Sequence, residues 1–185
     1  PPGQTVTEKW PVLTYGKTQN IEKVDFRFQV VGLVEHELTL TFDDLLAFPQ
    51  TILTADFHCV TGWSRYDNAW EGVLVRDVLQ EAGLKSDATH AMAYSYGNYT
   101  TNLSLQTLLD DDVLLAFRHD GKDLEPDHGG PLRLVVPKIY AYKSAKWVRG
   151  FEVLAADEPG FWELGGYHWT GDPWQEQRFG RPFFP

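Results

Sequence analysis

Phe26, Phe28 and Val30 alternate with Arg27 and Gln29, a period of two that predicts a half-buried strand. Thr41, followed three residues later by Asp44, resembles a capping box and opens a short helix that Pro49 ends. Residues 50–60 read as a strand running into a glycine–aromatic loop. Val75, Val78, Leu79 and Ala82 share one helical face, with Gly83 as the stop. Residues 91–95, 113–117, 132–136 and 147–154 read as further strands, and Asp120-Gly121 marks a turn. Residues 1–16 look like an irregular arm. Residues 157–185 are rich in glycine, proline and aromatics and are expected to wrap the body or cover a site. Strands interspersed with short helices predict an α+β fold, mostly β, in one domain over residues 1–185. No repeat and no linker interrupts it.

Composition narrows the function. The 185 residues carry 26 acidic and 16 basic side chains, a net charge of -10, which argues against nucleic acid and anionic membrane as partners. No apolar run approaches the ~20 residues of a membrane helix. The opening Pro1-Pro2-Gly3-Gln4 lacks the charged-then-apolar pattern of an export signal. A single cysteine without disulfide logic suits a reducing, cytoplasmic setting.

That cysteine, Cys59, lies in Phe57-His58-Cys59-Val60-Thr61-Gly62-Trp63-Ser64-Arg65. It can pack as a small hydrophobe, act as a nucleophile, or bind a soft metal as thiolate. On an extended strand His58 and Cys59 point to opposite faces, so a zinc site using both is awkward. A cysteine hydrolase would need a histidine base, and no local signature marks one. A soft metal that brings its own sulfur ligands needs only one protein thiolate. His58 remains a nearby candidate for tuning or proton transfer.

The second chemical feature is residues 128–151, which hold Arg133, Lys138, Lys143, Lys146 and Arg149 and no acid. In an acidic chain this is a local inversion of charge: a solvated cationic face, or an anion clamp. Small Ser144 and Ala145 would let backbone N–H groups approach an anion while Lys143, Lys146 and Arg149 supply charge-assisted bonds. No G-x-x-x-x-G-K-[ST] sequence is present, so this is not a nucleotide P-loop.

One thiolate and one phosphate clamp fit a metal held by a phosphorylated organic cofactor. The runs Asp112-Val113-Leu114-Leu115-Ala116-Phe117, Asp127-His128-Gly129-Gly130-Pro131-Leu132-Arg133-Leu134-Val135-Val136-Pro137 and Lys143-Ser144-Ala145-Lys146-Trp147 resemble the molybdenum domain of the sulfite oxidase family. The resemblance spans about residues 10–174 and is strongest to the small bacterial sulfite oxidase-like oxidoreductases. It implies a sulfite oxidase-type fold and a molybdenum-molybdopterin (pyranopterin) cofactor with Cys59 as the thiolate ligand. It also implies that His128 and Arg133 hold the pterin and its phosphate, with Ser144, Ala145 and Lys146 as phosphate contacts. Ser95 matches a residue lining the cofactor, Lys9 and Trp10 fall where an N-terminal arm touches the pterin, and Tyr167 falls near an active-site tyrosine.

Departures from the family shape the expected chemistry. Ser64 and Arg65 stand where sulfite oxidases place a substrate arginine. The immunoglobulin-like dimerisation domain of those enzymes has no counterpart in these residues. The methionine sulfoxide reductases of the family share the cysteine, but His128 replaces their typical asparagine. The expectation is therefore two-electron oxygen-atom transfer on a small substrate; the alternatives are a methionine sulfoxide reductase-like reductase or a cofactor carrier without its own turnover. With no C-x-x-C-H haem motif, no further cysteines and no dinucleotide fingerprint, the electrons are expected to pass to or from something outside the chain, a haem or flavin protein, with direct use of oxygen as the alternative.

Overall fold

The computed structural model describes residues 1–180. In chain order the strands are β1 (Thr5–Val6), β2 (Arg27–Gly32), β3 (Leu38–Thr41), β4 (Gln50–Cys59), β5 (Trp63–Leu74), β6 (His90–Ser95), β7 (Thr100–Ser104), β8 (Leu114–His119), β9 (Lys122–Asp123), β10 (Arg133–Val135) and β11 (Val148–Leu154). The helices are short: α1 (Phe42–Leu46), α2 (Val75–Ala82), α3 (Leu105–Leu108) and α4 (Phe161–Leu164). This is the α+β, mostly β architecture that the alternation predicts.

The strands form two sheets. One runs β1-β5-β8-β10, with β4 added on β5 and β9 on β8; the other runs β3-β2-β11-β6-β7. The main core lies where they face each other. Phe28, Val30, Phe151 and Val153 of the second sheet are buried in one cluster with Val73, Leu115 and Leu134 of the first. Each such side chain contributes ~1.5–3 kcal/mol by leaving water. The first sheet also buries its other face at its centre, where Trp70, Leu114, Ala116 and Val135 pack with Phe57 and the half-buried Trp10. That explains the unbroken apolar run of residues 113–117: a strand covered on both faces has no polar side to alternate with.

The local signals act as their chemistry dictates. Asp44 N–H donates to Thr41 Oγ1 at 3.1 Å, and Thr41 N–H donates to Asp44 Oδ2 at 2.8 Å, closing the capping box of α1. The Thr41 hydroxyl, which donates to Asp44 Oδ2 at 2.7 Å, and then the Thr41 N–H hold the Asp44 carboxyl below its ordinary range. Gly83 ends α2 with a positive φ of 69°. Three features differ from the sequence expectation. Residues 1–16 are not wholly irregular, because β1 joins β5 in parallel. The loop after Cys59 is brief, and a twelve-residue strand, β5, follows it. Residues 157–180 include α4 and fold back over the cysteine end of the first sheet, where Arg178 Nη2 donates to Gly3 O at 3.1 Å; residues 181–185 of that tail lie outside the described residues.

Candidate molybdenum cofactor site

The β4–β5 hairpin turns at Cys59, and the turn closes tightly because Gly62 N–H donates back to Cys59 O at 3.0 Å. Cys59 ends the strand with its side chain in a cavity of about 340 Å³. Its Sγ lies 3.1 Å from Thr61 Oγ1. His58, one residue earlier, faces the other way: its Nδ1 pairs with Ser64 Oγ at 2.7 Å, and its ring packs edge-on to Trp174. The period of two separates the two side chains as expected, and it removes His58 from the cavity.

Part of the cavity lining is cationic. Arg133 sits on β10, 4% exposed. Its Nη1 donates to His128 O at 2.8 Å and its Nη2 to Ser144 O at 3.1 Å, while Nε is buried without a partner. Among the described residues no carboxylate neutralises it. Burial pulls its pKa down to about 10. Lys146 donates to Thr14 Oγ1 at 2.8 Å and to Asp127 O at 2.6 Å. Burial, reinforced by the Arg133 charge, lowers Lys146 to about 8. His128 is lowered by burial and then by both cations, so it is neutral at pH 7. Its ring stacks on Trp10 with centroids 3.8 Å apart and planes 13° apart. Gly129, at φ 102°, brings this segment against Lys146, where an added Cβ would lie 2.9 Å from Lys146 Cα.

Another part of the lining is aromatic. Tyr167 ring packs 5.0 Å from Trp162 and 5.3 Å from Tyr142, and Tyr15 approaches Trp162 at 5.7 Å. Among the described residues no aspartate or glutamate lines the cavity. In a chain with net charge -10 that is a selected environment.

Of the residues singled out from sequence, the structure brings Trp10, Cys59, His128, Arg133, Ser144, Ala145, Lys146 and Tyr167 to this one cavity. Five others lie outside its lining, among them Arg149, which is exposed on β11 with its guanidinium 6.0 Å from the Tyr96 ring centroid. Lys143 points away: its Nζ binds Asn102 O, Asn102 Oδ1 and the Glu163 carboxylate at 2.9, 2.6 and 2.5 Å, fully buried. Its charge is already neutralised and is not available to an anion. Ser95 is buried at the end of β6 with an unpartnered Oγ. Lys9 is exposed, and only its neighbour Trp10 enters. His58 is held by Ser64. Arg65, at the position of the substrate arginine, is also elsewhere: it pairs with Asp120 at 2.6 Å and donates to His119 Nε2 at 2.9 Å. Burial takes His119 down to about 4, so its ring is a neutral acceptor. Sequence reasoning missed Tyr99 and Tyr142, both in the lining. Tyr142 adjoins the basic run, but nothing in the sequence shows that Tyr99 O–H donates to Tyr142 O.

The model of the oxidoreductase molybdopterin binding domain family matches residues 15–162. The chain belongs to that family. Among relatives, it is 47% identical over 180 residues to the uncharacterized oxidoreductase YuiH of Bacillus subtilis, covering 97% of this chain and 91% of that one. It is 28% identical over 191 residues to the sulfite oxidase of Arabidopsis thaliana, covering 80% of this chain but 49% of that one. Among solved structures, the sulfane dehydrogenase SoxCD of Paracoccus pantotrophus superposes with a TM-score of 0.70 at 30% identity, over 76% of this chain and 41% of that chain. The chain is thus a molybdopterin-binding oxidoreductase domain with the sulfite oxidase-type fold.

The residues present fit that cofactor. No cluster of three His, Cys, Asp or Glu among the described residues can hold a metal alone, so a metal at Cys59 must bring other ligands. The dithiolene sulfurs of molybdopterin are such ligands. Arg133 is a buried cation that lacks a counter-ion, and the cofactor's phosphate is an anion of the right kind. No helix of the described residues is long and apolar enough to cross a membrane.

Proposed function

We propose that residues 1–185 act as one catalytic unit that transfers an oxygen atom to or from a small substrate, with Cys59 as the protein's thiolate ligand to molybdenum. When bound, the cofactor supplies the two-electron redox chemistry. The chain's own groups do the rest. Arg133 and Lys146 hold the anionic end of the cofactor through charge-assisted hydrogen bonds. The neutral ring of His128, stacked on Trp10, fixes that wall without adding charge. Tyr167 presents a phenol at the aromatic wall, where it can orient substrate, and the Trp162 and Tyr142 rings beside it exclude water.

The carrying observation is the buried, acid-free pairing of a lone thiol with an uncompensated guanidinium in one cavity. Electrons pass to or from an external haem or flavin protein, and the net charge of -10 steers a basic partner. The lone thiol, without disulfide logic, supports a cytoplasmic setting.

The test joins two measurements on metal-replete protein. Cys59→Ser removes one sulfur from the X-ray absorption shell of molybdenum and abolishes dye-linked turnover, while the melting curve stays close to wild type because serine nearly matches cysteine in size. An unchanged sulfur count refutes Cys59 as ligand. Full metal loading with no turnover under any dye identifies a carrier instead. The rate with a basic protein acceptor is expected to fall as salt rises; rapid turnover on dissolved oxygen alone refutes the need for a partner.

A further inference from the structure

Lys143 begins the segment that holds the anion wall, yet it faces the opposite way. Its ammonium and the Glu163 carboxylate lie 2.5 Å apart with side chains 1% and 0% exposed. Thr101 Oγ1 donates to Glu163 Oε1 at 3.1 Å, and Glu163 Oε2 is buried with no partner. Glu163 sits in α4 between Trp162 and Leu164, and Trp162 and Tyr167 form the aromatic wall. Gly160, which opens α4, lies so close to β7 that a Cβ there would meet Thr101 Cα at 2.6 Å.

The same short stretch of chain holds the tail at three places. Lys143 binds Glu163, Tyr142 O–H donates to His168 O, and Tyr140 N–H donates to Gly171 O at 2.7 Å. Directly after these come Ser144, Ala145 and Lys146, which line the same cavity with Arg133. Residues 140–146 therefore join both walls. One end grips residues 163–171, and the other lines the cationic pocket with Arg133 bound to Ser144 O at 3.1 Å.

We infer that Lys143 and Glu163 form a positioning latch: their buried ion pair couples an anion seated at Arg133 and Lys146 to the placement of Trp162 and Tyr167. The inference rests on the cavity being the cofactor site. Physical chemistry favours a positional role over a stabilising one. Replacing a fully buried pair with apolar residues of similar volume is often neutral for stability. An ion pair, however, fixes its partners in one register, because any sliding of α4 would strand a charge in an apolar interior. Anion binding draws Ser144 and Lys146 toward Arg133, and the latch passes that restraint to α4. Neither latch residue lines the cavity.

Hydrogen–deuterium exchange of the full chain, with and without bound cofactor, tests this. The reporters are the Leu164, Gly166 and Tyr167 amides, which donate to Gly160 O, Glu163 O and Trp162 O at 3.0 to 3.1 Å. In the wild type, the cofactor slows their exchange at least about tenfold. In a Lys143→Met/Glu163→Leu double variant, shown to be folded by circular dichroism and compared with and without cofactor at equal distance below its own melting point, the two forms exchange alike. Glu163→Gln provides a second arm that keeps the shape of the side chain; there the difference shrinks at least roughly threefold. A double variant or Glu163→Gln that retains the whole difference overturns the latch, and so does a loaded wild type whose amides exchange no more slowly than the empty form. A wild-type chain that takes up no cofactor overturns the reading of the cavity itself, which is a different result from a loaded chain without coupling.

Discussion

Arg133→Met tests the anion wall where its energetics are most exposed. The guanidinium is 4% exposed, donates to the His128 and Ser144 carbonyls, and leaves Nε unbonded. Burial draws its pKa down to about 10. A drop of roughly 2.5 pH units corresponds to ~3 kcal/mol paid to keep the charge at neutral pH. The sign follows from the direction: the folded protein holds this proton less tightly than the unfolded chain, so the cost is complete at pH 7 and fades only as pH rises past about 10. An anion seated beside Nε returns that cost, and independently a charge-assisted hydrogen bond is worth ~1.5–3 kcal/mol. The two figures agree. Methionine removes the charge but strips a donor from two buried carbonyls, each worth ~1–3 kcal/mol. In the empty protein these effects oppose each other, and the net change in unfolding free energy is expected to stay within ~3 kcal/mol. In the loaded protein nothing offsets the lost anion contact, so cofactor affinity falls roughly 10- to 150-fold. The assay pairs denaturant unfolding of both forms with the metal-to-protein ratio after extended dialysis. Unchanged retention in a folded variant would show that Arg133 is a structural cation and refute the reasoning.

Two further outcomes follow from the same wall. Lys146 is lowered to about 8 in the empty site, so its cationic form, which binds an anion, is complete below that pH and is lost above it. Cofactor or inorganic phosphate affinity, measured by calorimetry, is therefore expected to fall from pH 8 upward, and Lys146→Ala should flatten that decline; a slope that survives the substitution assigns the titration elsewhere. Gly129→Ala strains a residue at φ 102° and puts a Cβ 2.9 Å from Lys146 Cα. It should cost ~1–3 kcal/mol in unfolding experiments and lower metal content with it; normal loading would show that the close approach is incidental.

The strands that pack one face were legible because their pattern is local. Phe26, Phe28 and Val30 are each 0% exposed between exposed neighbours, as a period of two requires. The caps of α1 and α2 were legible for the same reason. β5 was not. Arg65, Asp67, Asn68, Glu71 and Gly72 are poor strand formers, and Asp67 even takes a positive φ of 52°. Pairing with β4 on one side and β8 on the other makes the strand, and that information is spread over residues 50–119. Family resemblance, not periodicity, located most of the cavity. Tyr99 and Tyr142 were invisible because their contact joins chain segments 43 residues apart.

Lys143 and Arg133 show what a charge pattern can and cannot reveal. Both belong to the acid-free run of residues 128–151, and both were expected to contact the cofactor, Lys143 from charge and spacing and Arg133 from the family resemblance. The fold separates them by what returns to meet each one. Twenty residues after Lys143, α4 brings back Glu163, and the lysine spends its charge there. Around Arg133 arrive two carbonyl oxygens and the ring faces of Trp10 and Phe57, but no carboxylate among the described residues, so its charge has no counter-ion. With 26 acids to 16 bases, most cations of this chain can find a carboxylate. A buried cation that has none is therefore the stronger mark of a ligand site than any density of lysine and arginine along the sequence, and in this molecule that mark falls in the cavity that holds Cys59.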